Sequence, residues 1–220
     1  SYLWYAGRVF EFPLGIFSVA LGTAALPSFA AQAARGAHDE LRDSLAFSIR
    51  LTNCLVLPAT AGIMALALPI TVVLFRRGAF GYAEAQQTAR ALAAFAIGLW
   101  PVSMVRVLVP AFYALRDTRT PVIAAAGGFI ANIAASLLLM GPLSGVGGSA
   151  GADAIAAAAR RFWLFDLGHV GVALATSLSA AVNMLVLAAL LRRHLGRLGV
   201  AAWLPSLVRS ALAALAMLPI

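Results

Sequence analysis

Residues 51–75 read LTNCLVLPATAGIMALALPITVVLF, a run of 25 residues without a charged side chain. A helix that crosses the hydrocarbon core of a bilayer needs about 20 mostly apolar residues, because each residue adds about 1.5 Å along the axis. The run does not alternate apolar and polar residues, as the strands of a membrane barrel do. Since only helices and closed barrels satisfy their backbone groups in lipid, this stretch predicts a transmembrane helix.

The composition extends this prediction to the whole chain. Of its 220 residues, 62% are hydrophobic and 11% are charged, with a mean hydropathy of +0.93. Soluble domains have about 45–50% apolar and about 25% charged residues. The single cysteine, Cys54, lies in an apolar run and excludes a disulfide framework or a cysteine metal cluster. The composition excludes a soluble enzyme, a secreted module and a disordered tail, and predicts an integral membrane protein.

Six segments are long and apolar enough to cross a membrane, which predicts an all-α fold, a polytopic transmembrane helix bundle. Five of them, within residues 1–191, form the first part of the bundle, with an insert outside the membrane at about 143–168. Residues 192–220 are expected to hold a cytoplasmic loop and a truncated further transmembrane helix. Because the sequence lacks an initiator methionine, we expect an internal piece of a longer polytopic protein. The predicted segments are residues 3–33, 45–75, 83–115, 121–140 and 170–191, and a sixth from near 203.

The loop charges predict the orientation. All 16 basic residues are arginines, and the net charge is +8. Eight arginines fall in loops one, three and five, against four in loops two and four. Cytoplasmic loops carry the excess of basic residues, so the first span runs from outside to inside. The eight are Arg35, Arg42, Arg50 (at the helix edge), Arg116, Arg119, Arg192, Arg193 and Arg197, and the four are Arg76, Arg77, Arg160 and Arg161.

The fourth loop is unusual in composition. Residues 144–151 read SGVGGSAG, a glycine- and serine-rich stretch typical of flexible linkers. Residues 152–165, ADAIAAAARRFWLF, follow with helix-forming alanines and an aromatic patch. This pattern predicts a short interfacial helix outside the membrane, with a disordered insert as the alternative.

Several charged residues lie inside predicted spans. A cation at the bilayer centre costs about 2.5–3.5 kcal/mol on insertion scales, so it usually faces a wet cavity or a partner. Arg8 and Glu11, spaced i,i+3, share one helix face, either as a self-neutralising pair or as part of an anion site. Arg106 lies in the middle of its run. Two arginines lining one cavity would suit a phosphate or diphosphate, because guanidinium binds phosphate oxygens bidentately. Arg90 and Arg209 lie near span ends, where snorkelling to the interface explains them.

Polar residues recur at helical spacing in the fourth and fifth spans. Asn132 and Ser136 are four residues apart on one helix, as are Val172 and Thr176 on the next. Amide, hydroxyl and carbonyl oxygens are ligands that hard cations prefer, so these four residues are candidates for a sodium site. Hydrogen bonding between the two helices is the alternative.

Catalytic patterns are absent from the sequence. His38, His169 and His194 are scattered without metal-ligand spacing, and no nucleophile elbow, phosphate loop or zinc-protease motif occurs. Asp117, between arginines, is interpreted as a solvated loop charge. The sequence therefore predicts a membrane transporter and not an enzyme.

Several stretches of the sequence resemble segments of one protein family, and they occur in the same order along the chain. They are YAGRVFEFPLGIFSVALGTAALPSFA (5–30), RGAHDEL (35–41), VLFRRGAF (73–80), VLVPAFYALRDTRTPV (107–122) and GHVGVALATSLSAAVN (168–183). The most specific is PAFYALRDTRTP. The chain resembles the MurJ (MviN) lipid II flippases of the multidrug/oligosaccharidyl-lipid/polysaccharide exporter superfamily. The resemblance covers nearly all residues except about 144–166.

The resemblance implies a fourteen-helix protein of two lobes built as inverted repeats, of which this piece would span the eighth helix to part of the thirteenth. It implies a flippase that moves the anionic, lipid-linked peptidoglycan precursor lipid II from the cytoplasmic to the periplasmic leaflet by alternating access. Arg8 matches an essential cavity arginine of the family, and Arg106 matches a position that is basic in relatives. Arg8, Glu11 and Arg106 are therefore the predicted substrate-binding residues.

The resemblance also places Asn132, Ser136, Val172 and Thr176 on sodium-site positions described for some members. Ser136 stands where those members have a carboxylate. No organic cofactor is expected, and either sodium coupling or the membrane potential would drive transport.

The expected partners are lipid II, an undecaprenyl-diphosphate-linked precursor, together with membrane lipids and the cell-wall synthesis machinery; nucleic acid is not expected. The expected location is the bacterial cytoplasmic (inner) membrane. Alternative functions are a flippase for another lipid-linked oligosaccharide, a cation-coupled drug exporter, or a non-transporting membrane scaffold. A drug exporter would need acidic cavity residues instead of arginines.

Overall fold

The computed structural model describes residues 2–78, 80–139 and 167–195, and within them it contains helices and no strand. The helices are α1 (Tyr2–Pro13), a π-helical segment (Leu14–Val19), α2 (Ala20–Ala34), α3 (His38–Phe75), α4 (Tyr82–Ala114), α5 (Arg119–Leu139) and α6 (Gly168–Leu195). Helix α1, the π-helical segment and α2 form one continuous span, Tyr2–Ala34, called here the first span.

Five of these helical spans are long and apolar enough to cross a membrane. The prediction of an all-α polytopic bundle is confirmed. Residues 143–166 of the predicted insert, the interfacial helix at 152–165, Arg209 and the sixth span from near 203 lie outside the described residues.

Helix boundaries differ from the prediction at charged ends. Helix α3 begins at His38 and not near residue 45, so Arg42 lies on a helix and not in a loop. Asp39 and Glu40 occupy its first turn, where carboxylates interact favourably with the helix dipole. At the same end of the bundle, α6 continues beyond residue 191 to Leu195. A hydropathy criterion rejects such turns because they are charged, although the backbone stays helical.

Helix α4 is the centre of the bundle. More than half of its most apolar stretch is buried, against less than a third for the other spans. It packs against α1, α2, α3 and α6, and α5 packs on the outside against α6. Gly98 of α4 allows one of these contacts, because a Cβ there would lie 2.6 Å from the Oγ of Ser177 on α6. The Ser177 hydroxyl donates to the Ala94 carbonyl at 2.8 Å.

The first span crosses α4 just after a change in helix type. Pro13 cannot donate a backbone hydrogen bond, and the wider π-helical turns begin at the next residue. Beyond them, the Oγ atoms of Ser18 and Ser103 lie 2.6 Å apart. One turn further, a Cβ on Gly22 would lie 2.5 Å from the carbonyl oxygen of Arg106. This approach is possible only because Gly22 has no side chain.

The buried side chains form two clusters at different depths. The cluster toward the predicted cytoplasmic end, here the inner end, contains large residues, and the cluster toward the outer end is rich in alanine. The inner cluster is Phe29, Leu41, Leu45, Ile49, Met104, Val107, Leu108, Ala111, Phe112, Ala124, Met184, Leu187, Leu191 and Leu195. The outer cluster is Ala6, Leu14, Val56, Ile63, Ala67, Ala89, Ala91, Leu92, Ala96 and Leu99.

Helices α2 and α4 both end at the inner side, and they end in the same type of turn. After α2, the amide of Ala37 donates to the Gln32 carbonyl, and Gly36 has φ +70. After α4, the amide of Asp117 donates to the Phe112 carbonyl, and Arg116 has φ 59. Both are Schellman turns, with the left-handed residue just past the helix.

Candidate functional site

The open face of α1 carries the predicted anion-binding residues. Trp4, Arg8 and Glu11 follow one another at helical spacing, and all three are exposed. The Nη1 of Arg8 donates to the Oε2 of Glu11 at 3.3 Å, and the Arg8 guanidinium carbon lies 5.3 Å from the centre of the Trp4 ring. The arginine is therefore held between a carboxylate and an aromatic ring. One of its five N–H groups is used by Glu11, so the side chain keeps donors for a ligand.

An apolar groove lies beside Arg8. It runs between α1 and α3, has a volume of about 500 Å³ and is lined, besides Arg8, by Val9, Phe12, Pro13, Ile63, Ile70, Leu74 and Phe75. A cation at the edge of an apolar groove suits a ligand that joins an anionic group to a hydrocarbon chain.

Arg106 lines a different groove. This groove lies between the first span and α4, has a volume of about 310 Å³ and includes Ser18, Gly22, Thr23 and Tyr113 in its wall. The Arg106 side chain is exposed. The predicted depth is thus compatible with an open cavity, and within the described residues Arg8 and Arg106 line two different grooves.

The crossing at Gly22 fixes the distance between the two arginines along the bundle. Arg106 lies at the level of Gly22, because the glycine contacts its carbonyl oxygen. Gly22 follows Arg8 by fourteen positions, which corresponds to about 20 Å along the helix axis. The two residues therefore stand at an outer and an inner level of the bundle.

The candidate sodium residues are partly brought together between α5 and α6. The amide nitrogen of Asn132 donates to Thr176 Oγ1 at 3.4 Å and to Ser179 Oγ at 3.3 Å. Thr176 Oγ1 in turn donates to the carbonyl oxygen of Val172 at 3.0 Å. Ser136 is half-buried one turn beyond Asn132 and is not part of these bonds.

In this seam between α5 and α6, the amide nitrogen of Asn132 faces the hydroxyl oxygens of Thr176 and Ser179. Asn132 presents its nitrogen to the two hydroxyl oxygens, whereas a cation needs oxygens that point at it. These hydrogen bonds join α5 to α6, as the alternative interpretation expects of polar side chains between membrane helices, and the sodium site stays a prediction. Among the described residues, no group of three or more histidine, cysteine, aspartate or glutamate side chains could hold a metal ion.

Sequence reasoning did not single out Trp4, Ser179 or the serine pair at the first crossing. Trp4 precedes Arg8 by one helical turn, so the spacing could have identified it. Ser179 lies one turn beyond Thr176 and could have been found in the same way. The contact of Ser18 with Ser103 joins two helices that are distant in sequence, and no local pattern encodes it.

Asp117 has a structural role. Its Oδ1 accepts hydrogen bonds from the backbone amides of Arg119 and Thr120, at 3.1 and 3.0 Å. These bonds cap the start of α5, where amide groups lack partners within the helix. The carboxylate is thus part of a helix cap.

Five membrane-spanning helices with an exposed arginine beside an apolar groove define a multi-pass membrane protein with features suited to an amphipathic anion. The family model described as lipid II flippase MurJ matches residues 1–165. The chain belongs to this family, whose members are transporters and not enzymes. It is a multi-pass protein of the bacterial inner membrane.

Individual relatives agree with this assignment. The chain is 33% identical over 187 residues to a protein of Vibrio cholerae named "Probable lipid II flippase MurJ", covering 85% of this chain and 31% of the relative. It is 31% identical over 194 residues to the lipid II flippase MurJ of Burkholderia cenocepacia, covering 88% of this chain and 33% of the relative. The chain thus spans about a third of the length of these curated relatives.

A solved structure shares the fold. It is described as lipid II flippase MurJ in an inward closed conformation, and it superposes with a TM-score of 0.72. The sequence identity is 24%, and the match covers 99% of this chain and 39% of the other.

Proposed function

We propose that the protein acts, as part of a complete two-lobed transporter, as a flippase for lipid II. It would move this lipid-linked peptidoglycan precursor from the cytoplasmic to the periplasmic leaflet for cell-wall synthesis, by alternating access. The observation that carries the proposal is Arg8, an exposed cation on a membrane-spanning helix at the edge of an apolar groove. Family membership supports the same cargo.

The physical task explains the need for such a cation. A diphosphate joined to sugars cannot cross hydrocarbon unaided, because a desolvated charge is costly there. A guanidinium group offers paired N–H donors to phosphate oxygens and keeps its charge at any physiological pH. Arg8 is held by Glu11 and Trp4 through contacts that a phosphate can exchange without refolding the helix.

We propose the membrane potential as the driving force. An inside-negative potential favours outward movement of an anion by about 2.3 kcal/mol per charge per 100 mV. Sodium coupling is less favoured because Asn132 and Thr176 bond to each other or to the backbone in the seam between α5 and α6. The cell-wall synthesis machinery is the proposed destination of the flipped lipid.

Complementation tests the cargo. The full-length gene is expressed in cells depleted of their own lipid II flippase, and growth is measured together with the accessibility of lipid II at the outer surface. We expect the wild type to restore both, Arg8→Ala to restore neither, and Arg8→Lys to restore them partly, since lysine keeps the charge but loses the bidentate geometry. Normal growth with Arg8→Ala at equal protein level would contradict the role of Arg8. Failure of the wild type would contradict the cargo.

A further inference from the structure

The Trp4 side chain is largely exposed, although it already contacts two neighbouring side chains. It is 57% exposed, with the guanidinium of Arg8 5.3 Å from its ring centre. The ring of Tyr5 meets it edge-on, at 5.1 Å between centres. An indole that is exposed to this degree next to an anion-binding arginine has surface left for a ligand.

The neighbour of Trp4 in sequence, Tyr5, connects the indole to other aromatic side chains. Tyr5 packs against Phe75 at the end of α3, with 4.9 Å between ring centres, and against Phe80 in the following loop, at 5.1 Å. Phe75 and Phe80 also contact each other. Trp4 therefore rests on an aromatic cluster that ties α1 to the outer end of α3, and this support restricts the ring.

We propose that Trp4 is a sugar platform, the surface on which the sugar nearest the phosphate of the cargo packs. The inference rests on the proposed function and refines it. A phosphate held by Arg8 would bring the sugar bonded to it next to the indole. The face of an aromatic ring carries partial negative charge, and the C–H groups on one face of a pyranose are weakly positive and apolar, so the two surfaces are complementary.

Glu11 completes the arrangement on the other side of Arg8. Its Oε2 accepts from the arginine, and the side chain is 66% exposed. A carboxylate oxygen accepts hydrogen bonds from sugar hydroxyl or amide groups. Trp4 and Glu11 are seven positions apart, about 10 Å along the axis, so a cargo headgroup can contact the ring, the cation and the carboxylate together.

The test compares two lipids that differ only in the sugar-bearing headgroup. The affinity of the purified full-length protein is measured for lipid II and for undecaprenyl diphosphate, which has the diphosphate and no sugar. Variants are Trp4→Ala, Trp4→Phe and Arg8→Ala. The matched control is Tyr82→Ala, because Tyr82 is a similarly exposed aromatic residue at the outer end of α4 with Arg76 5.9 Å from its ring.

We expect Trp4→Ala to weaken lipid II binding about tenfold, which corresponds to about 1.4 kcal/mol, and to leave undecaprenyl diphosphate binding within about twofold. Trp4→Phe should keep most of the affinity, since a ring remains. Arg8→Ala should weaken both lipids, and Tyr82→Ala neither.

An equal loss for both lipids in Trp4→Ala would mean that the indole only orients Arg8, and would overturn the platform. An unchanged affinity for lipid II would overturn it as well. The same loss in Tyr82→Ala would identify Trp4 as a general membrane-interface anchor. A wild-type protein that binds no lipid II contradicts the proposed function itself, which separates that failure from failure of the platform alone.

Discussion

The hydroxyl oxygens of Ser18 and Ser103 lie 2.6 Å apart in the buried crossing of the first span with α4. Ser103 also donates to the Leu99 carbonyl at 2.7 Å. A serine hydroxyl has one hydrogen, so Ser18 must be the donor of the bond between them. With Gly22 one turn further along, this pair fixes the height of the first span against α4. It therefore sets the levels at which Arg8 and Arg106 stand.

A methyl group at Gly22 should disturb this crossing. In Gly22→Ala the new Cβ would lie 2.5 Å from a backbone carbonyl oxygen, so the helices must move apart. Overpacking of this kind costs about 1–3 kcal/mol. We expect a melting temperature in detergent that is lower by several degrees, at about 2–4 °C per kcal/mol.

Gly7→Ala is the matched control on the same span. A Cβ at Gly7 meets no atom within 4 Å, and alanine favours the helix over glycine by about 1 kcal/mol. Its melting temperature should be equal or higher. Equal destabilisation by the two substitutions would contradict the close approach at Gly22.

Glu11→Gln should separate function from folding. Both partners of the ion pair of Glu11 with Arg8 are more than 60% exposed, and exposed pairs contribute about 0–1 kcal/mol. We expect the melting temperature to change by no more than about 2 °C, while transport falls because the carboxylate no longer positions the arginine. The two quantities are measured by thermal unfolding and by lipid II flipping in vesicles. A large loss of stability with transport intact would assign the pair a structural role.

Much of the fold could be predicted from the sequence, since hydropathy alone locates the five described spans to within a few residues at most ends. The start of α3 was missed because His38, Asp39 and Glu40 are polar, although they continue the helix. The relation of Arg8 to Arg106 could not be predicted. Each residue is recognisable as a charge in an apolar run, but their separation depends on where Gly22 crosses α4, which is a tertiary contact.

The sequence predicted which residues belong to the candidate site, but not how their side chains are arranged in space. The charge of Arg8 marked its position, and Glu11 followed from the spacing. The orientation of the Asn132 amide depends on Ser179 across the α5–α6 interface. Such an orientation is a matter of side-chain packing that spacing along one helix does not determine.

Arg106 and Arg90 on the same helix should behave differently. Both are exposed, but Arg106 lines the groove beside the first span, whereas Arg90 lies near the outer end of α4. Hydrogen bonds to charged groups contribute about 1.5–3 kcal/mol, so Arg106→Ala should slow lipid II flipping about tenfold or more. Arg90→Ala should leave the rate within about twofold. Equal rates for the two variants would contradict a cargo contact at the inner level.

The driving force can be tested by exchanging ions. In vesicles with a clamped potential, replacing sodium by potassium should leave lipid II flipping unchanged, since Asn132 and Thr176 bond to each other. Removing a potential of 100 mV should slow it, at about 2.3 kcal/mol per charge moved across the full field. A flipping rate that falls when sodium is removed at constant potential would support the predicted sodium site. In that case Asn132→Ala should abolish the dependence of the rate on sodium.

Arg116 should be replaceable by glycine with a gain in stability. It has φ 59 in the turn after α4, whereas the same position after α2 is Gly36, with φ +70. A left-handed residue with a Cβ is strained by about 1–2 kcal/mol, and glycine is not. Arg116→Gly should therefore raise the melting temperature, and Gly36→Ala should lower it. Because Arg116 also contributes to the positive charge of the predicted cytoplasmic side, labelling of a cysteine introduced in that loop checks that the orientation is kept. A lower melting temperature in a correctly oriented Arg116→Gly protein would show that the arginine side chain makes a contact worth more than the backbone strain.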